Sequence, residues 1–292
     1  FGFQRVGDLI WAAADARARG FLLGATAGRT TLLGEGLQHQ DGHSHVLAST
    51  VPVCQAYDPA FAYETAELVR AGLERMYGPE PEDVFYYLTL HNENYAMPAM
   101  PEGDDVRAGI SEGLYRWHEA PQLGDRPRAT LLFSGAAQGA ARQAAADLAE
   151  RWGVAAELWS ATSYKRLREE AMAVERWNRL HPDEDPRQPL VHRRLATSSG
   201  PIVAVTDFMR AVPDQIVRWV PGGRSFTSLG TDGFGRSDTR EALRRFFEVD
   251  AGHVVVAVLA ALASEGRVDR SLVAKAIERH GIDPSAPAPW TV

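Results

Sequence analysis

Short apolar runs alternate with longer segments of helical periodicity along most of the chain. Residues 84–90 form the most continuous run, which predicts a strand buried on both faces, as in a parallel sheet. Similar runs lie at residues 130–133, 154–159, 201–206 and 226–230. Segments with one apolar face predict helices at residues 5–19, 138–152, 165–178, 209–219, 239–247, 254–264 and 271–279. The alternation predicts an α/β fold of parallel-dominated sheets covered by helices on both sides.

The chain before residue 84 carries less regular signals. Residues 21–26 are an apolar run bounded by glycines and indicate a buried strand or a part-buried loop. Residues 46–54 are apolar and β-branched, which predicts a strand or an extended segment. Asp58 and Pro59 are typical of a helix start, with Asp58 as the N-cap, so we expect a helix from there to about Tyr77.

A change of composition separates the two halves of the chain. Residues 98–128 are rich in Pro, Gly and charged side chains and predict a connection between two domains, with a short helix inside 106–118. A second α/β unit is predicted to begin at Ala129.

Composition and charge exclude several classes of function. The formal net charge is −7 at pH 7, and nonspecific binding to nucleic acids needs a basic face instead. We identify no apolar run long enough to cross a bilayer, so no membrane partner is predicted. The single cysteine, Cys54, rules out an intrachain disulfide and is typical of a reducing compartment, which predicts a cytoplasmic location.

Residues 34–45 form the segment with the densest potential chemistry. It holds three glycines, three histidines and two carboxylates in twelve residues. Glycines are costly inside helices and strands, and the polar groups leave no apolar face, so a loop is predicted. The candidate site residues are its titratable members, namely Glu35, His39, Asp41, His43 and His45.

A second group of polar residues follows the strand predicted at 84–90. His91, Asn92 and Glu93 stand at its carboxyl end, where open α/β sheets place their ligands. A loop at a strand end also needs polar side chains simply to meet water. Ligand binding and solvation therefore both remain open for this segment.

The alternate spacing of His39, Asp41, His43 and His45 raises the hypothesis of a zinc hydrolase, since His and carboxylates are usual zinc ligands. The intervening Gly42 and Ser44 do not strengthen it, and nothing else in the sequence indicates an open metal site. We therefore assign no metal-ligating residue in this chain.

Several long motifs resemble the homodimeric type of pyruvate dehydrogenase, the thiamine-diphosphate-dependent decarboxylating component of the pyruvate dehydrogenase complex. The motifs are FGFQRVGD at 1–8, GEGLQH at 34–39, DGHSH at 41–45, YDPAFAYE at 57–64, NENY at 92–95, MPAMPEG at 97–103 and GTDGFGRSD at 230–238. The similarity runs from end to end of the chain.

This resemblance implies a domain organisation and a cofactor. Residues 1–100 would be the later part of the pyrimidine-binding domain, 101–128 a linker, and 129–292 a transketolase-type C-terminal domain. The cofactors would be thiamine diphosphate and Mg²⁺. The family's Mg²⁺ ligands and catalytic glutamate belong to an N-terminal region that we do not find here, so we expect a C-terminal portion of a longer polypeptide.

Two site residues follow from matching the motifs residue by residue. Phe1 matches an aromatic residue that packs on the aminopyrimidine ring, and a flat heterocycle gains from such stacking. His39 matches a histidine that contacts the pyruvate-derived adduct, where imidazole can bond a carboxylate and exchange a proton. Glu35, Asp41, His43 and His45 receive no transferred role and are expected to support the loop.

The resemblance also implies a function for the parent polypeptide. It would oxidatively decarboxylate pyruvate and acetylate the lipoyl group of the dihydrolipoyl acetyltransferase component. Its other partner would be the second subunit of a homodimer or the missing N-terminal region. The isolated chain is predicted to be inactive, and the alternative is a non-catalytic dimerisation or assembly module of the same complex.

Overall fold

The computed structural model describes residues 2–33 and 39–292. Two sheets are flanked by helices, with strand orders β1-β3-β2 and β4-β6-β5-β7-β8. The strands are β1 (Gly20–Ala25), β2 (Cys54–Tyr57), β3 (Phe85–Leu90), β4 (Tyr115–His118), β5 (Arg128–Phe133), β6 (Ala155–Ser160), β7 (Ile202–Val205) and β8 (Phe226–Leu229). The helices are α1 (Gly2–Arg5), α2 (Gly7–Asp15), α3 (Ser44–Ala48), α4 (Ala62–Tyr77), α5 (Asp104–Glu112), α6 (Gln138–Asp147), α7 (Tyr164–Leu180), α8 (Leu190–Leu195), α9 (Arg240–Phe246), α10 (Ala251–Ser264) and α11 (Arg270–Arg279). Short 3₁₀ or π turns lie at Gly135–Ala137, Leu148–Trp152, Pro213–Trp219 and Pro289–Thr291.

The first sheet is parallel and has β3 at its centre. Five of the six β3 residues are buried, which explains the continuous apolar run in the sequence. β1 lies at one edge, and its outer side pairs with no strand among the described residues. Leu22 and Leu23, which point to opposite faces of β1, are 39% and 59% exposed, so β1 is uncovered on both faces.

The second sheet is parallel except for β4, which pairs antiparallel with β6 at one edge. α6 and α10 pack against one face of this sheet, and α7 and α8 pack against the other. The predicted fold class, α/β with parallel-dominated sheets, is therefore confirmed, and the second sheet has the predicted helices on both sides, whereas β1 of the first sheet is uncovered. The linker predicted at 101–128 contains α5 and β4, so part of it joins the second sheet.

The strand predicted at residues 46–54 is wrong. Ser44–Ala48 is a helix, and the strand begins only at Cys54. The Asp41 carboxylate accepts hydrogen bonds from the backbone N–H groups of His43 (3.0 Å) and Ser44 (2.9 Å). Asp41 thereby satisfies the N–H groups of the N-cap residue and of the first helical residue, which favours a helix start at a point where the sequence has β propensity.

The assignment of Asp58 as a helix N-cap is also wrong, because α4 begins later, at Ala62. The N-terminal N–H groups are satisfied from within the helix. Glu64 Oε2 accepts from the backbone N–H groups of Ala60 (2.5 Å) and Phe61 (3.1 Å). Asp58 is consequently released from the helix end, and its side chain is buried.

One stretch among the described residues, Arg240–Ser264, is long and apolar enough to cross a membrane by length and composition, and our sequence analysis did not identify it. In the structure it forms α9 and α10, and half of its most apolar window is buried. α10 packs into the main core against α6 and the second sheet. Core helices of globular proteins pass the same composition test, so the stretch is weak evidence for a membrane span.

The two sheets meet through polar residues at the carboxyl ends of their strands, a region we call the seam. Asp58 follows β2, His91 follows β3 and Ser134 follows β5. The Asp58 carboxylate accepts hydrogen bonds from Thr89 Oγ1 (2.7 Å), His91 Nε2 (2.8 Å) and Ser134 Oγ (2.7 Å). One buried carboxylate therefore joins three strands from both sheets.

In the seam, the buried Asp58 carboxylate and the His91 imidazole stabilise each other's charged forms. Burial alone would raise the pKa of Asp58, but the charge and hydrogen bond of His91, with the charge of His45 and the hydrogen bond from Ser134, together hold that pKa below its ordinary value. Burial likewise opposes the charged form of His91, but the charge and hydrogen bond of Asp58, with the charge of Asp207, together raise the pKa of His91. Gly135 has φ +47°, and a Cβ there would collide with the Asp58 carboxylate, so glycine permits the close approach.

Asp207 extends the seam from the end of β7 to the segment after β1. Its two carboxylate oxygens accept from the backbone N–H of Thr30 at 3.1 and 3.2 Å. Burial raises the pKa of Asp207 to about 6, although the charge of His91 and the bonds from Thr30 oppose the shift. Asp207 therefore destabilises the folded protein when it is ionised.

We predict that Asp207→Asn removes a pH dependence of stability. Between about pH 4 and about pH 6 the folded protein retains a proton on Asp207 that the unfolded chain has released, so the free energy of unfolding falls as pH rises through this window. Relative to Asp207→Asn, wild type should lose on the order of 2–3 kcal/mol across it. Urea denaturation at several pH values measures this difference.

The matched control is Asp185→Asn, at an exposed loop carboxylate. Its pH profile should run parallel to that of wild type. If Asp207→Asn also runs parallel to wild type, Asp207 does not titrate in this window.

Candidate functional site

A cavity of about 520 Å³ lies beside the carboxyl end of β1. Most of its lining is apolar and comes from α1, α2, β1 and β3, including Phe3, Ile10, Leu22 and Tyr87, and Leu32 from the segment after β1 adds to it. His39 and Asp41 supply its titratable groups. The structure thus brings together two of the residues singled out in the sequence. An apolar cavity with a few convergent polar groups is the usual form of a small-molecule site.

Asp41 is buried and has a structural task beside the cavity. It caps α3, as described above, and the Arg29 guanidinium lies against the neighbouring Gly42, where a Cβ would collide with it. Arg29 also donates a hydrogen bond to the backbone oxygen of Gly233 in the second domain. Burial lowers the pKa of Arg29, while the charges of Asp41 and other nearby carboxylates oppose that shift. Asp41 and Arg29 therefore fix the backbone that follows His39.

His43 and His45 make contacts that connect elements of the fold. His43 Nε2 forms a hydrogen bond with Gln4 Oε1 on α1. His45 Nε2 forms one with Thr89 Oγ1 at 3.0 Å, and its ring packs edge-to-face on Phe208 with centroids 4.7 Å apart. Burial lowers the pKa of both histidines, which favours their neutral forms.

The structure does not describe two of the predicted site residues, and it tests the zinc hypothesis for the others. Phe1 and Glu35 lie outside the described residues, so their roles stay predictions. Among the described residues, no group of three or more His, Cys, Asp or Glu side chains is placed to hold a metal ion. His39, Asp41, His43 and His45, which suggested zinc by their spacing, do not form such a group.

The segment that carries His39 is held at both ends by the second domain. On the upstream side, the Thr31 carbonyl oxygen accepts from Arg240 Nε at 3.0 Å. On the downstream side, Gln40 Oε1 accepts from the backbone N–H of Arg236 at 2.6 Å. The cavity is therefore built by the first domain but positioned by contacts with the second.

Sequence reasoning missed most of the seam. It placed His91 at a strand end with ligand binding and solvation both open, misassigned Asp58 to a helix cap, and gave Ser134 and Asp207 no role. A signal was present, because each of these residues follows the last residue of a strand by one or two positions. Parallel strands bring their carboxyl ends to one edge, and that rule would have grouped the four residues.

Two family models match the chain. A model of the pyruvate dehydrogenase E1 component middle domain matches residues 1–98, and a model of the transketolase-like C-terminal domain matches residues 113–250.

Curated relatives match almost the whole chain. The pyruvate dehydrogenase E1 component of Mycolicibacterium smegmatis is 56% identical over 283 residues, covering 97% of this chain and 30% of the relative. The proteins of the same name from Mycobacterium tuberculosis and Escherichia coli K12 are 53% and 50% identical, covering 99% and 97% of this chain and 31% of each relative. The chain spans about a third of the length of these relatives.

Solved structures show the same fold at low sequence identity. Transketolase from Campylobacter jejuni is 17% identical with a TM-score of 0.61, covering 88% of this chain and 34% of that chain. A split-gene transketolase, described as an inactive "beta4" tetramer, is 18% identical with a TM-score of 0.57, covering 88% of this chain and 81% of that chain.

The two family models match consecutive parts of the chain, and the named relatives match almost its whole length at half identity or more. The chain belongs to the pyruvate dehydrogenase E1 family, of which it carries the middle domain followed by the transketolase-like C-terminal domain.

Proposed function

We propose that this chain forms one wall of a thiamine-diphosphate site and serves, within a longer polypeptide, in the oxidative decarboxylation of pyruvate. The acetyl group would pass to the lipoyl group of a dihydrolipoyl acetyltransferase. The observation that carries the proposal is the cavity in which His39 and Asp41 face an apolar lining, in a chain half identical to proteins named pyruvate dehydrogenase E1 component.

The cavity suits the heterocyclic half of the cofactor. Phe3 and Tyr87 line it and pack edge-to-face with centroids 4.9 Å apart, which gives it an aromatic wall. Gly2, which follows Phe1 in the sequence, also lines the cavity, and this supports Phe1 as the aromatic residue that packs on the aminopyrimidine. Bound thiamine diphosphate supplies the electron sink for decarboxylation.

The described residues provide no group of metal-ligating side chains that could hold the diphosphate half of the cofactor through Mg²⁺. A diphosphate bound through Mg²⁺ needs oxygen ligands around the ion. We therefore propose that the Mg²⁺ ligands and the acid–base glutamate lie in polypeptide outside this chain. The isolated chain would then be inactive, as was described for the split-gene transketolase tetramer that shares its fold.

His39 has the chemistry for a contact with the substrate-derived group. Its half-buried imidazole lies at the cavity, where it can donate a hydrogen bond to a carboxylate or to a developing oxyanion. Asp41 beside it is committed to the backbone of α3, which leaves His39 as the group we assign to proton exchange.

We predict no turnover by this chain alone with pyruvate, thiamine diphosphate, Mg²⁺ and an artificial electron acceptor. A longer polypeptide that contains it should turn over, and His39→Asn in that polypeptide should lower kcat by about 10²–10⁴-fold because a positioned acid–base group is lost. Steady-state kinetics with reduction of the acceptor measures both. His118→Asn, at an exposed histidine outside the cavity, should match wild type.

Turnover by this chain alone would contradict the proposal that the Mg²⁺ ligands and the acid–base glutamate lie in polypeptide outside it. An undiminished kcat in His39→Asn would remove His39 from the reaction.

A second candidate function, as an assembly module, is favoured by exposed apolar side chains on the elements that build the cavity wall and on the residues that follow them. Leu9 and Trp11 on α2, Leu23 on β1 and Leu33 are between 47% and 67% exposed. β1 is also an edge strand among the described residues. Exposed apolar side chains on an unpaired edge strand, such as Leu22 and Leu23 on β1, mark a site where further polypeptide packs. We propose a second subunit or an N-terminal region as its occupant, which is compatible with the catalytic proposal.

We predict that Leu23→Glu weakens association through this surface roughly tenfold or more, because a buried apolar contact is replaced by a desolvated charge. Sedimentation velocity over a range of protein concentrations measures the effect in this chain and in the longer polypeptide. Leu180→Glu, at a leucine of similar exposure near the end of α7, is the matched control. Equal association of all three proteins would place the interface elsewhere.

A further inference from the structure

We propose that Gln40 is a positioning residue that holds His39 at the cavity by tying its loop to the second domain. The inference rests on the proposed function, in which His39 contacts the substrate-derived group. It adds a residue that touches neither substrate nor cofactor and acts through its neighbour.

Both ends of the Gln40 side-chain amide are used. Nε2 donates to the carbonyl oxygen of Leu32 at 2.7 Å, and Oε1 accepts from the backbone N–H of Arg236 at 2.6 Å. The residue is 2% exposed, so water does not compete for these partners. A buried side-chain hydrogen bond of this kind is costly to leave unmade, since the abandoned donor stays desolvated.

The two bonds have different consequences for the loop. The bond to Leu32 joins two positions of the first domain that flank residues 33–39 in the sequence. The bond from Arg236 crosses to the second domain and fixes the position of Gln40 relative to that domain. Because Gln40 follows His39 directly in the chain, both bonds restrict the backbone from which the imidazole projects.

The partner segment in the second domain is itself fixed. The backbone N–H of Thr231 donates to the Phe208 carbonyl oxygen at 2.9 Å, and Thr231 Oγ1 donates to the Asp207 carbonyl oxygen at 2.8 Å. The segment that presents the Arg236 N–H is therefore attached to the end of β7 and to the seam. A parallel bond from Met209 N to the Gly42 carbonyl oxygen, at 2.7 Å, steadies the chain after Gln40.

Substitution can separate the two bonds. Ionised glutamate keeps an acceptor for the Arg236 N–H but has no proton to donate to Leu32. Leucine has a similar size and makes neither bond. If the tie to the second domain positions His39, Gln40→Glu should preserve function and Gln40→Leu should lose it, even though both variants lack the bond to Leu32.

The first measurement follows the tie itself in this chain, by amide hydrogen exchange. The Arg236 N–H should exchange at least tenfold faster in Gln40→Leu than in wild type and stay protected in Gln40→Glu. Gln143→Leu, at an exposed glutamine on α6, is the matched control and should not change it. If Gln40→Leu does not fold, Gln40→Met, which also provides no oxygen acceptor, takes its place.

The second measurement uses the longer, cofactor-loaded polypeptide with pyruvate. Gln40→Leu should lower kcat at least tenfold with little change in thiamine-diphosphate affinity, and Gln40→Glu should stay within about threefold of wild type. Equal losses in the two variants, or faster Arg236 exchange without a fall in kcat, would overturn the proposal. Absence of turnover in wild type would instead overturn the proposed function, while the exchange experiment would still report whether the tie exists.

Discussion

The buried carboxylate of Asp58 is the interaction on which the arrangement of the two sheets depends. It receives hydrogen bonds from Thr89, His91 and Ser134, which belong to the ends of β3 and β5. A charge taken out of water is tolerated only when its partners are complete, and here they come from both domains. If the sheets separated, Asp58 would lose Ser134, so the requirement to satisfy this charge fixes how the domains approach each other.

The geometry of the cavity depends on how the two domains approach each other. His39 belongs to the first domain, yet both ends of its loop are bonded to the second domain through Arg240 and Arg236. Among the described residues, the cavity lining comes from the first domain, while the second domain fixes the segment that carries His39. The C-terminal domain can therefore affect the cavity through that segment. The same cavity is flanked by the uncovered edge of β1, where the proposed remainder of the site would pack.

Much of the fold was predictable because the signals were local. The continuous apolar run at Phe85–Leu90 marks a central parallel strand, and the later strands follow the same rule. The errors also have local causes. Residues 46–54 carry β propensity, but the Asp41 side chain caps a helix there. Asp58 precedes a proline in the manner of a helix cap, but Glu64 supplies the capping bonds from inside the helix.

The sequence by itself determined the alternation of strands and helices, the family, and His39 and Asp41 as neighbours in a loop rich in polar groups. Only the tertiary structure decided which polar residues share the seam and what holds the loop. Asp58 and Ser134 are 76 positions apart, and Gln40 and Arg236 are 196 apart. Periodicity reports the face on which a side chain lies, but it carries no information on which distant strand end will meet it. Those pairings arise when buried polar groups must find partners inside the folded protein.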